Sequence, residues 1–330
     1  MPNKTSIAIL GAGSWGTAVA IFLATKGYQT LLWSKNSAHV KEMQKKHRNE
    51  RYLPQTPFPE TLEVHTDLTH CVTQATHVVI AVPSHAFAEL LQEIPQPKLG
   101  LAWLTKGIDP QSHQLLNELV KQQWGETYPT VVISGPSFAK EVAMGLPTAL
   151  VVASQHSEYQ CQIRDLLHAP NMRVYLSEDI NGVQLCGVVK NILAIACGIS
   201  DGIGYGANAK AALITRGLAE MQRLLHAFHA RPETCLSLAG VGDLVLTCTD
   251  NQSRNRRFGL LLGEGTESHA AEKSIGQVVE GKYNAAQVST LAQQHQIDMP
   301  ICQEVHAVLE GQRSPKEAVA LLMNRPPKEE

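Results

Sequence analysis

Three groups of residues in this 330-residue chain have the types and spacings that chemistry needs. The first is Gly11-Ala12-Gly13-Ser14-Trp15-Gly16, set between an apolar run, Ser6–Leu10, and an alanine-rich stretch reaching Thr25. Strand, glycine turn and helix in that order suit a dinucleotide. The first glycine allows the tight turn, and the second lets the pyrophosphate approach the backbone. The third lets the helix pack close to the sheet, with its first N–H groups facing the phosphates. The plainer reading is an ordinary βα turn.

The second group is a set of turns that each follow an apolar run: Val82-Pro83-Ser84, Thr105-Lys106-Gly107 and Ser134-Gly135-Pro136-Ser137. Parallel strands would line these turns up beside the glycine turn, on the edge where open α/β sheets bind ligands. Lys106 would then be a cation aimed at that edge rather than a solvated turn lysine. Ser34-Lys35-Asn36 falls about twenty residues past the glycine turn, where an acid would bond the ribose of NAD. No acid occurs before Glu42, and a lysine at position 35 favours the 2′-phosphate of NADP.

The third group centres on Lys190, the lone charged residue between Asn181 and Ser200. Apolar residues cover every face of that stretch, which predicts a buried helix. Its neighbours three and four positions away are Cys186, Gly187, Leu193 and Ala194, so no acid on the same helix can pair with it. A lysine placed so either finds a partner elsewhere, titrates as a general base, or snorkels its ammonium to water. Asp243, after the turn Ala239-Gly240-Val241-Gly242, either caps a helix or is that partner. Ser253 reads as the N-cap of a helix opening Arg254-Asn255-Arg256-Arg257, whose start suits a phosphate. The glycine-rich stretch Ser200–Asn208 reads as a flexible link or a further phosphate nest. His226 and His229 share a helix face with no third ligand, so no metal site is expected.

The elements that must position these groups alternate at first. Strands are expected at Gln29–Trp33, Thr76–Val82, Leu99–Thr105, Thr130–Ser134, Thr148–Ala153 and Met172–Leu176, with helices at 37–50, 85–94 and 111–124. Arg51–Glu60 reads as a proline-punctuated loop. Alternation of this kind implies a mostly parallel sheet with helices on both faces. After Asp179 only helical patterns recur, at 181–200, 207–229, 254–263, 284–296, 299–311 and 315–324. The chain therefore divides into an α/β domain, 1–180, and an all-helical domain, 181–330. The tail Arg325–Glu330 reads as frayed.

Composition bounds the partners. With 44% hydrophobic and 18% charged residues and a net charge of −2, the chain is an ordinary globular protein with no electrostatic case for nucleic acid or an anionic membrane. Seven scattered cysteines without a C-x-x-C pair read as reduced thiols in a cytoplasmic protein. No apolar run is expected to approach membrane-spanning length. The start, with Lys4 leading into a strand, lacks the plan of a signal peptide.

Taken in order, these motifs resemble those of the bacterial NAD(P)-dependent sn-glycerol-3-phosphate dehydrogenases. The resemblance rests on Gly11-Ala-Gly-Ser-Trp-Gly-Thr-Ala18, Leu104-Thr-Lys-Gly107, Ser134-Gly-Pro-Ser-Phe-Ala139 and Val189-Lys-Asn191. It continues through Ala239-Gly-Val-Gly-Asp243, Ser253-Arg-Asn255 and Ile275-Gly-Gln-Val-Val-Glu-Gly281. It implies a Rossmann-type sheet followed by a helical domain of the 6-phosphogluconate-dehydrogenase type. The implied reaction interconverts glycerol 3-phosphate and dihydroxyacetone phosphate, supplying phospholipid synthesis. NADP(H) is the expected carrier, with NAD(H) as the alternative, and the expected assembly is a homodimer. The family's proton acceptor falls on Lys190, with Lys106 and Asp243 assisting the chemistry. Its substrate contacts fall on Lys106, Gly135, Ser137, Lys190, Asp243, Ser253, Arg254 and Asn255. Its cofactor contacts fall on Ser14, Trp15, Lys35, Lys106, Ala139, Arg254, Val278 and Glu280, beside Gly11, Gly13 and Gly16. A different reductase of the same superfamily, or a dinucleotide sensor without turnover, are the competing readings.

Overall fold

The computed structural model describes residues 5–326, so the readings at Lys4 and beyond Pro326 fall outside them. The backbone groups into two compact units, residues 1–109 with 114–183, and 110–113 with 184–330.

The first unit is built on eight strands: β1 Ser6–Leu10, β2 Gln29–Trp33, β3 Leu62–His65, β4 His77–Ile80, β5 Leu101–Trp103, β6 Thr130–Ser134, β7 Thr148–Ala153 and β8 Met172–Ser177. They lie in the order β3-β2-β1-β4-β5-β6-β7-β8, with every pair parallel except β6–β7. The central strands are continuous apolar runs because both of their faces are covered. Ile7, Ile9, Val79, Ala102 and Val131 are all buried. Between the strands run α1 Ser14–Thr25, α2 Ser37–Lys46, α3 Leu68–Gln74, α4 Phe87–Glu93, α5 Leu116–Trp124, α6 Ala139–Ala143 and α7 Ser157–Leu167. The chain walks outward from β1 to β3 and then returns to place β4 on the other side of β1. That reversal creates the switch point beside which open α/β sheets bind ligands.

Several expectations need correction. β3 and α3 were not expected, because a four-residue edge strand with alternating exposure carries too short a pattern to stand out after a proline-rich loop. The helix expected over 37–50 stops at Lys46, where His47 turns left-handed at φ 48° and Arg48 bridges to Pro57. The helix expected from 111 begins at Leu116, because Asp109 N–H bonds the Gln114 carbonyl and Ile108 bridges to Leu115. Strands β4 and β5 are shorter than their apolar runs at both ends, and Gly100, at φ 143°, precedes β5.

No strand occurs after β8 among the described residues. The helices there are α8 Ile180–Ile203, α9 Ala207–Ala227, α10 Asp243–Thr249, α11 Arg254–Gly263, α12 Ser268–Ile275, α13 Glu280–Gln294, α14 Pro300–Leu309 and α15 Pro315–Met323. α8 overturns the expectation about length: its 24 residues are long and apolar enough to cross a membrane. Its apolar stretch is entirely buried inside the protein instead. It also absorbs Asp201 and Gly202, so the link to α9 is only Gly204-Tyr205-Gly206. The glycines of α8 serve packing: a Cβ on Gly198 would stand 2.1 Å from the Arg256 carbonyl oxygen, and one on Gly202 would stand 2.2 Å from that of Leu260. Glycine is what lets α8 and α11 touch backbone to backbone. α12 was not expected, α10 was expected only under the reading of Asp243 as a cap, and α13 starts four residues early. Arg325 is not frayed, since its guanidinium bonds both carboxylate oxygens of Asp298 at 3.0 Å.

Candidate active site

The glycine turn leaves β1 and enters α1 with each glycine held for a different reason. Gly11 sits at φ 130°, and a Cβ there would stand 2.7 Å from the Ala81 carbonyl oxygen at the end of β4. A Cβ on Gly16 would stand 2.0 Å from the Gly11 carbonyl oxygen, so helix and turn close only over glycine. Gly13 faces open space, with nothing within 4 Å of a Cβ placed there. Ser14 and Trp15 open α1, and the buried indole Nε1 of Trp15 has no hydrogen-bond partner. An open second glycine, a helix N-terminus and an orphaned donor beside it fit a pyrophosphate.

The turns after the neighbouring strands are tied together. Thr105 donates its hydroxyl to the Val82 carbonyl at 2.7 Å, joining the β5 turn to the β4 turn. Lys106 Nζ reaches the Gly135 carbonyl at 3.4 Å, and Ser137 Oγ donates to the same oxygen at 2.9 Å, so the β5 and β6 turns share one acceptor. Ala139 begins α6, which packs on α1. Lys35 is exposed in the turn after β2. His85, after β4, is pushed below the usual histidine range by burial and by the charge of Lys35. Sequence reasoning did not single out His85.

In the helical unit the question left open about Lys190 has a geometric answer. Its Nζ donates to Asp243 Oδ1 at 2.9 Å and to Thr247 Oγ1 at 2.9 Å. Lys190 is 7% exposed, Asp243 2% and Thr247 4%. The stretch Leu238–Gly242, kinked at Gly240, leads into α10 and delivers Asp243 as its first residue, with the carboxylate on the lysine. Thr247 follows one helical turn later. Its hydroxyl bonds the Asp243 main chain and carboxylate, which orients both groups. The sequence signal for Thr247 was its i+4 spacing from Asp243, which means something only once Asp243 is known to face Lys190.

Next to Lys190, Asn191 Oδ1 accepts from Asn255 Nδ2 at 2.9 Å, and Asn255 Oδ1 accepts the Gly281 N–H at 3.0 Å. This bridge gathers the starts of α11 and α13 beside α8. It brings Arg254 and Asn255 together with Glu280, and with Val278 just before it. Ser253 caps α11 by accepting the Arg256 N–H at 3.2 Å. The arginine run divides: Arg256 is buried against Asp201 and Asn251, Arg257 is exposed, and Arg254 is half-buried at the helix start. Cys248 and Cys197 lie beside the ion pair. Their mutual hydrogen bond and burial hold the Cys248 thiol well above the usual range.

Residues 6–160 match the family model for the N-terminal part of NAD-dependent glycerol-3-phosphate dehydrogenase, and residues 179–320 match that for its C-terminal part. The chain belongs to this family. A glycerol-3-phosphate dehydrogenase named for NAD(P)+ from Legionella pneumophila (strain Corby) is 63% identical over 99% of this chain and all of its own. The equivalent protein of Coxiella burnetii (strain RSA 331 / Henzerling II) is 53% identical over all of this chain and 99% of its own. The crystal structure of glycerol-3-phosphate dehydrogenase from Coxiella burnetii superposes with a TM-score of 0.95, covering 98% of this chain and all of that one at 52% identity. A glycerol-3-phosphate dehydrogenase of this family has the two parts found here, a mostly parallel sheet and an all-helical region after it.

Proposed function

We propose that the chain interconverts sn-glycerol 3-phosphate and dihydroxyacetone phosphate, using NADP(H) by preference and NAD(H) as the alternative. The observation that carries this reading is Lys190, buried with Asp243 and Thr247 on one side and the Asn191–Asn255 bridge on the other. A cofactor-binding protein without turnover has no use for a buried ammonium with a matched acid.

The nicotinamide, when bound, supplies or accepts the hydride. Lys190 gives a proton to the alkoxide developing at C2 in the reductive direction and takes it back in oxidation. Asp243 offsets the desolvation of the ammonium, and Thr247 fixes its direction, so the proton sits at a defined place before reaction begins. Lys106 stabilises negative charge on the substrate oxygen, with Gly135 and Ser137 beside it as substrate contacts. Arg254, with the Ser253-capped N-terminus of α11 and Asn255, takes the substrate phosphate. For the dinucleotide, the turn Gly11–Gly16 with Ser14 and Trp15 holds the pyrophosphate, and Lys35 pairs with the 2′-phosphate. Ala139, Val278 and Glu280 are further cofactor contacts.

Reduction in the cytoplasm would supply glycerol 3-phosphate to phospholipid synthesis. A homodimer fits the exposed Leu236 and Met323 of the helical unit, 76% and 79% accessible. The deciding experiment mixes the protein with NADPH and dihydroxyacetone phosphate and follows the reduced nicotinamide. Substrate-dependent oxidation is expected. Binding of NADPH without oxidation would instead mean a dinucleotide sensor, and oxidation only with another small oxo acid would mean a different reductase.

A further inference from the structure

Asn49 is fully buried in the turn after α2, with no role in the chemistry described above. Its side-chain amide donates to the Ala12 carbonyl at 3.0 Å and to Thr17 Oγ1 at 2.8 Å. A primary amide nitrogen has two hydrogens, and both are now used. Its oxygen must therefore be the acceptor in the 3.0 Å contact with His39 Nε2, which fixes the histidine tautomer that carries its proton on Nε2. His39 is held in turn by Tyr52, edge-on at 5.8 Å, and by its own backbone N–H, which bonds Asn36 Oδ1 at 3.0 Å. Asn36 directly follows Lys35. One relay thus runs from the exposed cap beside Lys35, through the buried His39 and Asn49, into the middle of the glycine turn.

The consequence lies in the peptide joining Ala12 to Gly13. In a trans peptide the carbonyl and the following N–H point in opposite directions. Asn49 draws the Ala12 carbonyl inward, so the Gly13 N–H is turned outward, on the residue whose surroundings are open. The second bond, to Thr17, pins the first turn of α1 to the same anchor, which keeps the helix start in register with that N–H.

We propose that Asn49 is a positioning residue for the dinucleotide: by fixing the Ala12 carbonyl and the Thr17 hydroxyl, it aims the Gly13 N–H and the start of α1 at the pyrophosphate, with His39 orienting Asn49. The proposal rests on the reading of Gly11–Gly16 as the pyrophosphate site. It predicts a defect confined to the cofactor. In Asn49→Leu, similar in size but without donor or acceptor, the Kd and KM for NADPH rise roughly tenfold to a hundredfold, as for a small misplacement of a binding group. At saturating NADPH, kcat stays close to that of the wild type, and the KM for dihydroxyacetone phosphate moves far less. His39→Gln, which keeps a donor, binds NADPH nearly as the wild type does, whereas His39→Leu is impaired in the direction of Asn49→Leu.

The experiment measures NADPH binding by nucleotide fluorescence, steady-state kinetics and thermal unfolding on the same preparations. Wild type that fails to bind NADPH would remove the pyrophosphate reading itself. Wild type that binds, with Asn49→Leu binding equally well, would overturn only the role of Asn49. A lowered Tm and kcat with unchanged KM for NADPH would make Asn49 a folding residue and likewise overturn it. Should Asn49→Leu not fold, His39→Leu against His39→Gln decides by the same KM-against-kcat split, with equal NADPH affinities overturning the relay.

Discussion

Lys190 of α8 and Asp243 of α10, separated by 53 positions in the chain, meet at 2.9 Å with both side chains almost wholly buried. An ion pair taken out of water holds only where geometry and further hydrogen bonds compensate the lost hydration. Here Thr247 supplies bonds to both partners. The pair is thus a fixed proton-bearing group and not a surface contact.

Replacing the lysine should remove the proton donor without disturbing the sheet. Lys190→Ala is expected to lower kcat by roughly 10²–10⁴-fold, the range for loss of a general acid or base. NADPH affinity, measured by fluorescence, should change little. Near-normal turnover would take Lys190 out of the chemistry.

The acid is the more fragile partner to lose. Asp243→Asn leaves the ammonium buried without its counter-charge, at a stability cost of about 3–5 kcal/mol. Thermal unfolding should show a clearly lowered Tm together with lost activity. Lys190→Met/Asp243→Asn should recover much of the Tm and none of the activity.

Arg254 should discriminate by phosphate. Arg254→Ala is expected to lower kcat/KM for dihydroxyacetone phosphate far more than for unphosphorylated dihydroxyacetone, because a charge-assisted bond contributes about 1.5–3 kcal/mol. Equal losses on both substrates would mean that Arg254 does not take the substrate phosphate.

Lys35 tests cofactor choice. Lys35→Ala should reduce kcat/KM with NADPH by roughly tenfold and leave NADH nearly unchanged, since only the former carries the 2′-phosphate. Steady-state kinetics with both nucleotides gives the answer, and parallel losses would show that the lysine does not select.

Glu220 makes stability depend on pH. Its carboxylate accepts the Ile301 and Cys302 N–H groups at 2.6 and 3.1 Å at the start of α14, while burial pushes its pKa from 4.5 up to about 7. The folded protein therefore binds a proton that the unfolded chain gives up at lower pH. The contribution is complete below the unfolded pKa of 4.5 and lost as pH rises through about 7, a change on the order of 3 kcal/mol. Thermal melts of the wild type should decline relative to Glu220→Gln across that window and run parallel above it. A constant difference from acid to alkaline pH would refute the shift.

Much of this protein is legible in local pattern. Largely apolar runs mark β1, β2, β6 and β7 to the residue, because a strand buried on both faces has little polar interruption. Ser253 before Arg254 marks the start of α11, because an N-cap is decided by the three residues after it. Elements with few residues or mixed exposure, such as β3 and α12, escape such reading. Their apolar positions become a pattern only against a neighbour. The arginine run shows the same limit: Arg254, Arg256 and Arg257 are alike in sequence, and only the presence of Asp201 beside α11 separates the buried one from the others.

The amino-acid order alone carried the glycine turn at Gly11–Gly16, the alternation of strands and helices, and the isolation of Lys190 on an apolar helix. Each of these is written in residues within a few turns of one another. The partner of Lys190, the i+4 companionship of Thr247 and the inward pull of Asn49 on Ala12 are settled by packing. They depend on how closely the elements pack, and between α8 and α11 that closeness is set by Gly198 and Gly202, which admit a facing backbone that any Cβ would exclude. Distances across tens of residues follow from the whole packed core, so no short stretch of sequence can state them.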